Sequence, residues 1–405
     1  MSQYFSPEGF IINDVVKTLV AHGDEVVVAT GKPNYPDGKI FPGYRAGGIQ
    51  RERYLDKVDV IRVPLWPRGK GGALNLVLNY ISFVISGLLL FPWLLRGQEF
   101  DAILVYAPSP ITQVAPAIPL KWIKRARLAL WVQDLWPESL AATGFVRNRF
   151  ALALVGRLVR LLYSCCDLLL VQSRAFVEPV ARYASRDKIV YYPNSVLNES
   201  AAACAVEIPA DLAKALEENF SVVFAGNLGT AQSVETLLEA SKLLKADPAV
   251  RMVLVGSGSR MAWLLEQQKA NQLDNLILPG RFPVNAMPEI FGRADVLLVS
   301  LKDEEIFAQT IPSKVQAYLA AGRPIAASLR GEGARVVEES GAGESCLPED
   351  PVALAELITN MKNRSPEQLR AMGAAARKYF DEHFEMNSQV ERLVTILKTH
   401  GNGES

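Results

Sequence analysis

The chain has 405 residues, 49% of them hydrophobic, with 43 basic and 43 acidic side chains, too long for one ordinary core and about right for two domains. Its four cysteines, at 165, 166, 204 and 346, lack the density of a disulfide scaffold and the paired spacing of a zinc site, and His22, His383 and His400 are scattered; a reducing cytoplasm is expected and a metal centre is not. Residues 1–200 carry 23 Lys and Arg against 16 Asp and Glu, while residues 201–405 carry 20 against 27, so the first half invites an anionic partner, and nucleic acid is disfavoured because no recognisable binding module is present.

The first ten residues, Met1-Ser-Gln-Tyr-Phe-Ser-Pro-Glu-Gly-Phe10, show neither a charged leader nor an apolar segment, so export is not expected. Ser6-Pro-Glu-Gly9 reads as the loop after a first strand, yet almost no strand precedes it. Either the sheet lacks that strand or the chain begins late. Strands are then predicted over 25–30, 58–63, 101–107, 128–132, 167–172 and 188–192, alternating with helical patterns. Between them, the apolar segment 74–95 is nearly long enough to cross a bilayer but is interrupted by Asn75, Asn79, Ser82, Ser86, Gly87 and Pro92. Three readings stand: a core helix, a helix lying in a membrane surface between Arg68, Lys70 and Arg96, or a true span.

The polar, alanine-rich stretch 194–219 reads as the connection, which sets domains of 1–200 and 201–405. The second half repeats the alternation, with strands predicted over 221–225, 251–255, 275–278, 295–301, 324–328 and 344–347. Such alternation argues for α/β domains with parallel sheets covered on both faces. The last helical segment, about 388–398, is left able to pack on either domain.

Ligands of open parallel sheets gather at the carboxyl ends of the strands, and three loops of the second half lie there. Phe224-Ala-Gly-Asn-Leu-Gly229 joins a strand to a helix, and its glycines let a ligand approach the backbone, although a tight turn without ligand would need them too. Val255-Gly-Ser-Gly258 resembles a dinucleotide fingerprint but has Met261 at the third glycine position. In Thr310-Ile-Pro-Ser-Lys314, Ser313 and Gln316 form a capping-box pattern after Pro312, and Lys314 stands in a first helical turn, where the dipole disfavours a cation unless an anion shares the site. Arg281 and Lys302, at two further strand ends, could add charge against a diphosphate or be ordinary surface cations. No Asp-x-Asp pair occurs, so cations and helix starts would replace a metal, and the trio Asp303-Glu-Glu305 reads as a solvated loop.

Taken together, Ser6-Pro-Glu-Gly9, Pro193-Asn-Ser195, Gly226-Asn-Leu-Gly229, Val255-Gly-Ser-Gly258, residues 287–295 and residues 312–324 resemble the family 4 retaining glycosyltransferases, whose GT-B fold sets two Rossmann-like domains facing across a cleft. Lys32-Pro-Asn-Tyr-Pro36, Trp131-Val-Gln-Asp-Leu-Trp-Pro-Glu138 and Thr310 to Lys314 look like a bacterial branch that builds O-antigen and exopolysaccharide, including transferases of N-acetylated amino sugars such as N-acetylfucosamine. The resemblance implies transfer of such a sugar from a UDP donor to a polyprenyl-diphosphate-linked saccharide at the inner face of the cytoplasmic membrane, by a cytoplasmic, peripherally bound enzyme without a cofactor. It implies donor contacts from Gly226, Asn227, Gly229, Gln232, Gly256, Gly258, Arg281, Lys302, Thr310, Pro312, Ser313 and Lys314. Glu8, Asp134 and Lys314 would be catalytic, with Gly9, Trp136 and Glu138 on the acceptor side; Glu8 could equally cap the next helix.

Departures from the family pattern are Asn227 and Gln232 where an Arg and a Lys are common, Gln309 and Ala317 in place of two glutamates, and Gln133 in place of a histidine. Positive charge relocated to Arg281, Lys302 and Lys314 would compensate. The rival readings are a nucleotide-sugar 2-epimerase of the same fold, a nicotinamide oxidoreductase suggested by glycine spacing alone, and a noncatalytic scaffold for other transferases.

Overall fold

The computed structural model describes residues 1–70, 72–142, 148–197 and 207–399. Two compact units emerge: Met1–Ser195 together with Met386–Ser405, and Val196–Glu385. The expected boundary near residue 200 falls within 198–206, outside the described residues, as do Cys204 and His400.

In the first unit the strands are β1 (Val27–Thr30), β2 (Gln50–Tyr54), β3 (Val58–Arg62), β4 (Ala102–Ala107), β5 (Arg127–Val132), β6 (Leu168–Val171) and β7 (Ile189–Tyr191). They form two sheets, ordered β1-β3-β2 and β4-β5-β6-β7, parallel except that β2 runs antiparallel to β3. All of β6, and all of β5 after Arg127, is buried, as parallel strands covered on both faces require. β2 reads Gln-Arg-Glu-Arg-Tyr and alternates half-buried with exposed positions. It is a charged edge strand with no apolar run, which is why it was not predicted.

Residues 1–3 lie where the first strand is expected. Ser2 N donates to Ala29 O (3.2 Å), Gly31 N to Gln3 O (3.3 Å) and Tyr106 N to Met1 O (3.0 Å), while the Met1 ammonium donates to Leu104 O (2.6 Å). They therefore bridge β1 and β4 where a strand would lie. Beyond them, the amino-terminal ends of β1 and β4 border an open cavity of about 1310 Å³, and burial pushes the Met1 ammonium down to about 5.

The helices of this unit are α1 (Ile11–Ala21), α2 (Ala73–Leu94), α3 (Ala117–Lys124), α4 (Glu138–Ala142), α5 (Arg149–Cys165) and α6 (Val177–Ala181). α3 and α5 cover the face of the four-stranded sheet that carries Val105, Leu128, Leu130 and Leu169. α2 shares a core of Phe83, Phe91, Leu94 and Leu120 with α3. It fits there because Gly87 has no side chain: a Cβ would stand 2.7 Å from Pro116 Cγ.

The second unit holds β8 (Phe220–Asn227), β9 (Val250–Ser257), β10 (Leu276–Gly280), β11 (Val296–Ser300), β12 (Ile325–Ser328) and β13 (Gly343–Cys346). All are parallel, in the order β10-β9-β8-β11-β12-β13. Its helices are α7 (Ala210–Glu217), α8 (Val234–Leu244), α9 (Met261–Ala270), α10 (Met287–Arg293), α11 (Glu305–Ala308), α12 (Ser313–Ala321), α13 (Glu332–Glu339), α14 (Pro351–Lys362) and α15 (Pro366–His383). Alternate strand residues feed two cores. Val223, Val253 and Leu297 pack with α10, α12, α13 and α15, and Val222, Met252 and Leu298 with α8, α9 and α14.

The final helix, α16 (Met386–Thr399), returns to the first unit. Tyr192 Oη donates to Gln389 O (3.1 Å), Arg127 Nη1 to Leu397 O (3.1 Å) and Arg392 Nη2 to Tyr191 O (2.8 Å).

Arg62 is the buried charge that ties β2 to this frame. Its guanidinium donates to Glu52 Oε1 (2.7 Å), to Gly31 O (3.1 Å) and to Ser6 O. Arg62→Met keeps the volume and strands Glu52, so urea unfolding should show a loss of about 2 kcal/mol, less than for a wholly buried pair because Glu52 remains 27% exposed.

Candidate active site

The carboxyl ends of β8 and β9 meet through glycine. Gly226 and Gly256 are register partners, at φ +141° and +148°, and a Cβ on Gly256 would lie 1.8 Å from Gly226 O. A Cβ on Gly258 would lie 2.4 Å from Leu228 O and 2.7 Å from Asn227 Oδ1. These glycines let the two loops cross, which accounts for the fingerprint-like spacing at 255–258 without a dinucleotide. Leu228 N donates to Ser257 O (2.8 Å) and Arg260 N to Leu228 O (3.0 Å), which fixes the crossing.

Onto it comes Lys314. Its Cε lies 2.5 Å from where a Gly226 Cβ would be, and its ammonium stands over the Phe224 ring, 4.3 Å from the centroid. Loss of water pushes the amine down to about 8. The expected Ser313–Gln316 capping box does not form, because Pro312, extended at φ −62° and ψ 137°, takes the cap position and places Ser313 inside the helix. No side-chain cap covers the start of α12, so its positive end stays open for a ligand beside a cation.

Packing holds that start in place. Ala225 N donates to the buried Tyr318 hydroxyl (3.0 Å), one turn into α12. After β12, a Cβ on Gly331 would meet Ala308 O at 2.1 Å and one on Gly333 would meet Pro312 Cδ at 2.9 Å, so that loop lies directly against the turn ahead of α12. The sequence reading missed Tyr318, Phe224, Gly331 and Gly333. The two glycines carried the same signal as the other loops, a pair just past a strand.

Of the remaining donor candidates, Gln232 Oε1 accepts from Gly229 N (3.3 Å), and the Asn227 amide lies between Gly229 and Gly258. Both shape the loop. Lys302 follows β11, the neighbour of β8, and its N–H donates to Ala231 O (2.9 Å). Thr310 lies half-buried in the turn ahead of Pro312. Arg281 is exposed after the edge strand β10, two strands and therefore about 10 Å from β8, so the structure does not join it to the Lys314 cluster. Asp303 pairs with Arg330.

In the first unit the predicted residues are occupied with the fold. Glu8 is buried: Oε1 accepts from Asn34 N and Tyr35 N, each at 2.8 Å, and Oε2 from Phe5 N at 3.2 Å. Burial raises its pKa while those bonds pull it back. It clamps its own loop to the loop at residues 34–35 and neither faces an open surface nor caps the next helix, whose cap is Phe10. Gly9 is exposed with open space where a Cβ would go. Asp134 is raised by burial and opposed by bonds from Ser139, Trp136 and Ser109, with the Trp136 indole at 3.1 Å. Glu138 pairs with Arg182 at 3.5 Å. Beside them Gln133, Asn194 and Gln172 form an amide ring. Gln133 Nε2 donates to Asn194 Oδ1 (2.9 Å), Asn194 Nδ2 to Gln172 Oε1 (2.9 Å) and Gln172 Nε2 to Gln133 O (2.8 Å).

Comparison with known proteins assigns this architecture. A model described as "Glycosyl transferase 4-like domain" matches residues 9–195, and one described as "Glycosyl transferases group 1" matches residues 219–363. The structure of Anabaena HepE in complex with UDP is similar over 98% of both chains, with a TM-score of 0.64 at 13% identity. The chain belongs to the GT-B glycosyltransferases. Its relatives include WbjE of Pseudomonas aeruginosa, named as a glycosyltransferase, 28% identical over 70% of this chain and 69% of that protein. WcaI of Escherichia coli K12, named for colanic acid biosynthesis, is 23% identical over 78% of this chain and 79% of that protein.

For this glycosyltransferase, the burial of Glu8 makes a testable distinction. Glu8→Ala leaves three backbone N–H groups without their acceptor and should lower stability by about 3 kcal/mol in urea unfolding. Nucleotide affinity of the folded fraction, read by calorimetry at low temperature, should stay unchanged.

Proposed function

We propose that this glycosyltransferase moves an N-acetylated amino sugar from a UDP-linked donor, with retention, onto a saccharide carried by polyprenyl diphosphate at the inner face of the cytoplasmic membrane, in surface polysaccharide synthesis. One observation carries the reading: the desolvated Lys314 ammonium, the uncapped start of α12 and the Gly226–Gly229 loop converge at the end of β8. The HepE complexes with UDP and with UDP-glucose support a uridine diphosphate donor, and the naming of WcaI supports a polysaccharide product.

Departure of a nucleoside diphosphate gathers negative charge on its oxygens as the bond to the sugar breaks, and donors already aimed at that charge lower the barrier most. Here Lys314 supplies a full charge and α12 a partial one. Neither has to be brought out of water when the substrate arrives. The sugar centre becomes oxocarbenium-like as the bond lengthens, and the acceptor hydroxyl attacks on the face the diphosphate leaves, passing its proton to the departing diphosphate oxygen.

Purified protein incubated with bacterial membranes and a panel of UDP-linked N-acetylamino sugars should yield a lipid-linked product heavier by one sugar in mass spectrometry. Release of a free epimer without lipid product would replace transfer by 2-epimerisation.

Lys314 also dictates a pH dependence. The free amine loses its proton above about 8, whereas bound diphosphate favours the ammonium, so UDP affinity should fall as pH rises through 8, by up to about tenfold per unit. Calorimetric titration should show this slope lost in Lys314→Arg, and Lys314→Ala should bind about tenfold or more weakly at pH 7. Unchanged affinity and transfer in Lys314→Ala would overturn the assignment.

A further inference from the structure

We propose that the outward faces of α2, α3 and α5 form one surface that seats the first unit on an anionic phospholipid bilayer. The three helices lie side by side. α2 meets the segment leading into α3 at Gly87 and Pro116, and Ala117 of α3 shares a core with Val159 and Leu162 of α5. Lys121 of α3 donates to Cys165 O at the end of α5 (3.0 Å).

Each helix keeps one apolar side for the core and turns another to solvent. On α2, Leu74, Ile81, Ile85, Leu89 and Trp93 are exposed, with Leu74 and Leu89 each at 72%, at steps of seven and four that keep one face. On α3, Trp122 is 70% exposed beside exposed Ile123. On α5, Phe150, Leu154, Leu158 and Leu161 stand at helical steps of four and three, Phe150 at 89%. A soluble surface rarely gathers large apolar side chains in one contiguous region.

Charge identifies the occupant. α2, α3 and α5 contain no Asp or Glu, whereas Arg96, Arg125, Arg149, Arg157 and Arg160 lie exposed in or beside them. Arg96 stands over the Trp93 ring (5.0 Å), so a basic and an aromatic group sit together there as they do at a headgroup layer, whereas Lys121, over the Trp122 ring (5.3 Å), is paired with Asp167 (2.6 Å) and adds no free charge. A second copy of this chain would bring the same cations against themselves, and anionic lipid would not.

The arrangement also separates the readings left open for residues 74–95. α2 has the length and hydropathy of a span, but Phe83, Gly87, Phe91 and Leu94 are buried against the sheet and α3. It is held flat, as an interfacial helix is. Arg68, expected at the membrane, instead bonds to Tyr80 Oη (3.1 Å) and stands over the Tyr4 and Tyr35 rings, and Lys124 is taken up by Leu95 O and Gln98 O, each at 2.7 Å.

This surface deepens the proposed function and rests on a membrane-bound acceptor for its purpose, but its test needs no acceptor. The full chain should float with vesicles of phosphatidylglycerol and phosphatidylethanolamine, more weakly with phosphatidylcholine alone or at 1 M salt, and its tryptophan emission should shift to the blue. The triple variant Leu89→Glu, Trp122→Glu, Leu154→Glu should lose about tenfold or more in vesicle affinity, with the same far-UV spectrum and the same UDP affinity. A matching exposed control elsewhere, Leu243→Glu, should bind vesicles as the parent does. Failure of the parent chain to bind anionic vesicles at low salt, equal binding by the triple variant, or a parent dimer that the variant breaks without any vesicle binding would each overturn the proposal. Transfer to a water-soluble acceptor, intact in the triple variant, would show that the donor chemistry stands apart from this surface.

Discussion

A cation held out of water at the positive end of a helix is an electrostatic conflict, and the second unit is built around one. Lys314 loses hydration against Phe224 and Gly226, and the α12 dipole adds a partial charge of the same sign. Either term alone favours a neutral amine. Retaining both makes sense where a third charge of opposite sign completes the set, because an anion bound there satisfies amine and amides together. Tyr318 and the glycine loops hold the conflict in place: with α12 tied to Ala225, Lys314 cannot swing its first turn away to recover water.

That rigidity depends on backbone contact, not on side-chain fit. Gly256 on Gly226, Gly258 on Leu228, Gly331 on Ala308 and Gly333 on Pro312 each put a missing Cβ where another chain segment runs. Three loops from the ends of β8, β9 and β12, with the turn ahead of α12, therefore form a closely stacked layer. Its polar side chains, Asn227 and Gln232, are committed to that layer, so the full positive charge at its centre falls to Lys314. Of the three cations expected to carry relocated charge, only Lys314 lies in this layer, with Lys302 one strand away and Arg281 apart.

Parallel strands were legible because both faces are buried, which leaves uninterrupted apolar runs, and all twelve predicted segments overlap a strand. β2 was not legible, since an edge strand paired by backbone and anchored by a distant arginine has no pattern of its own. Residues 1–3 escaped for a related reason: they do a strand's work through four hydrogen bonds, too few for a periodicity. Among site residues, glycines past strand ends were readable, and so was Lys314 by its wrong sign at a helix start. For Glu8 and Asp134, sequence reports that a carboxylate is present and not that backbone or indole N–H groups occupy it. Residues such as Tyr318 are invisible, since nothing local separates a core tyrosine from one whose hydroxyl fixes a helix.

The charge asymmetry of the chain carries a further lesson about range. Residues 201–405 are net acidic, yet the proposed anion site belongs to them. Part of that acidic charge is paired locally, five glutamates against three arginines, without removing the surplus: Arg293 pairs with Glu217 and Glu289, Arg335 with Glu332 and Glu339, and Arg364 with Glu344. Such pairs contribute little stability, but each cancels a field that salt would in any case damp within about 8 Å. A diphosphate bound at β8, as proposed, would therefore respond to the few groups in contact with it, where Lys314 and the α12 amides outweigh a distant surplus of carboxylates. In the first unit the acids at the strand ends are spent inside the fold, and the uncompensated arginines lie outward beside apolar helices, where an extended charged surface, unlike a single phosphate, responds to them collectively.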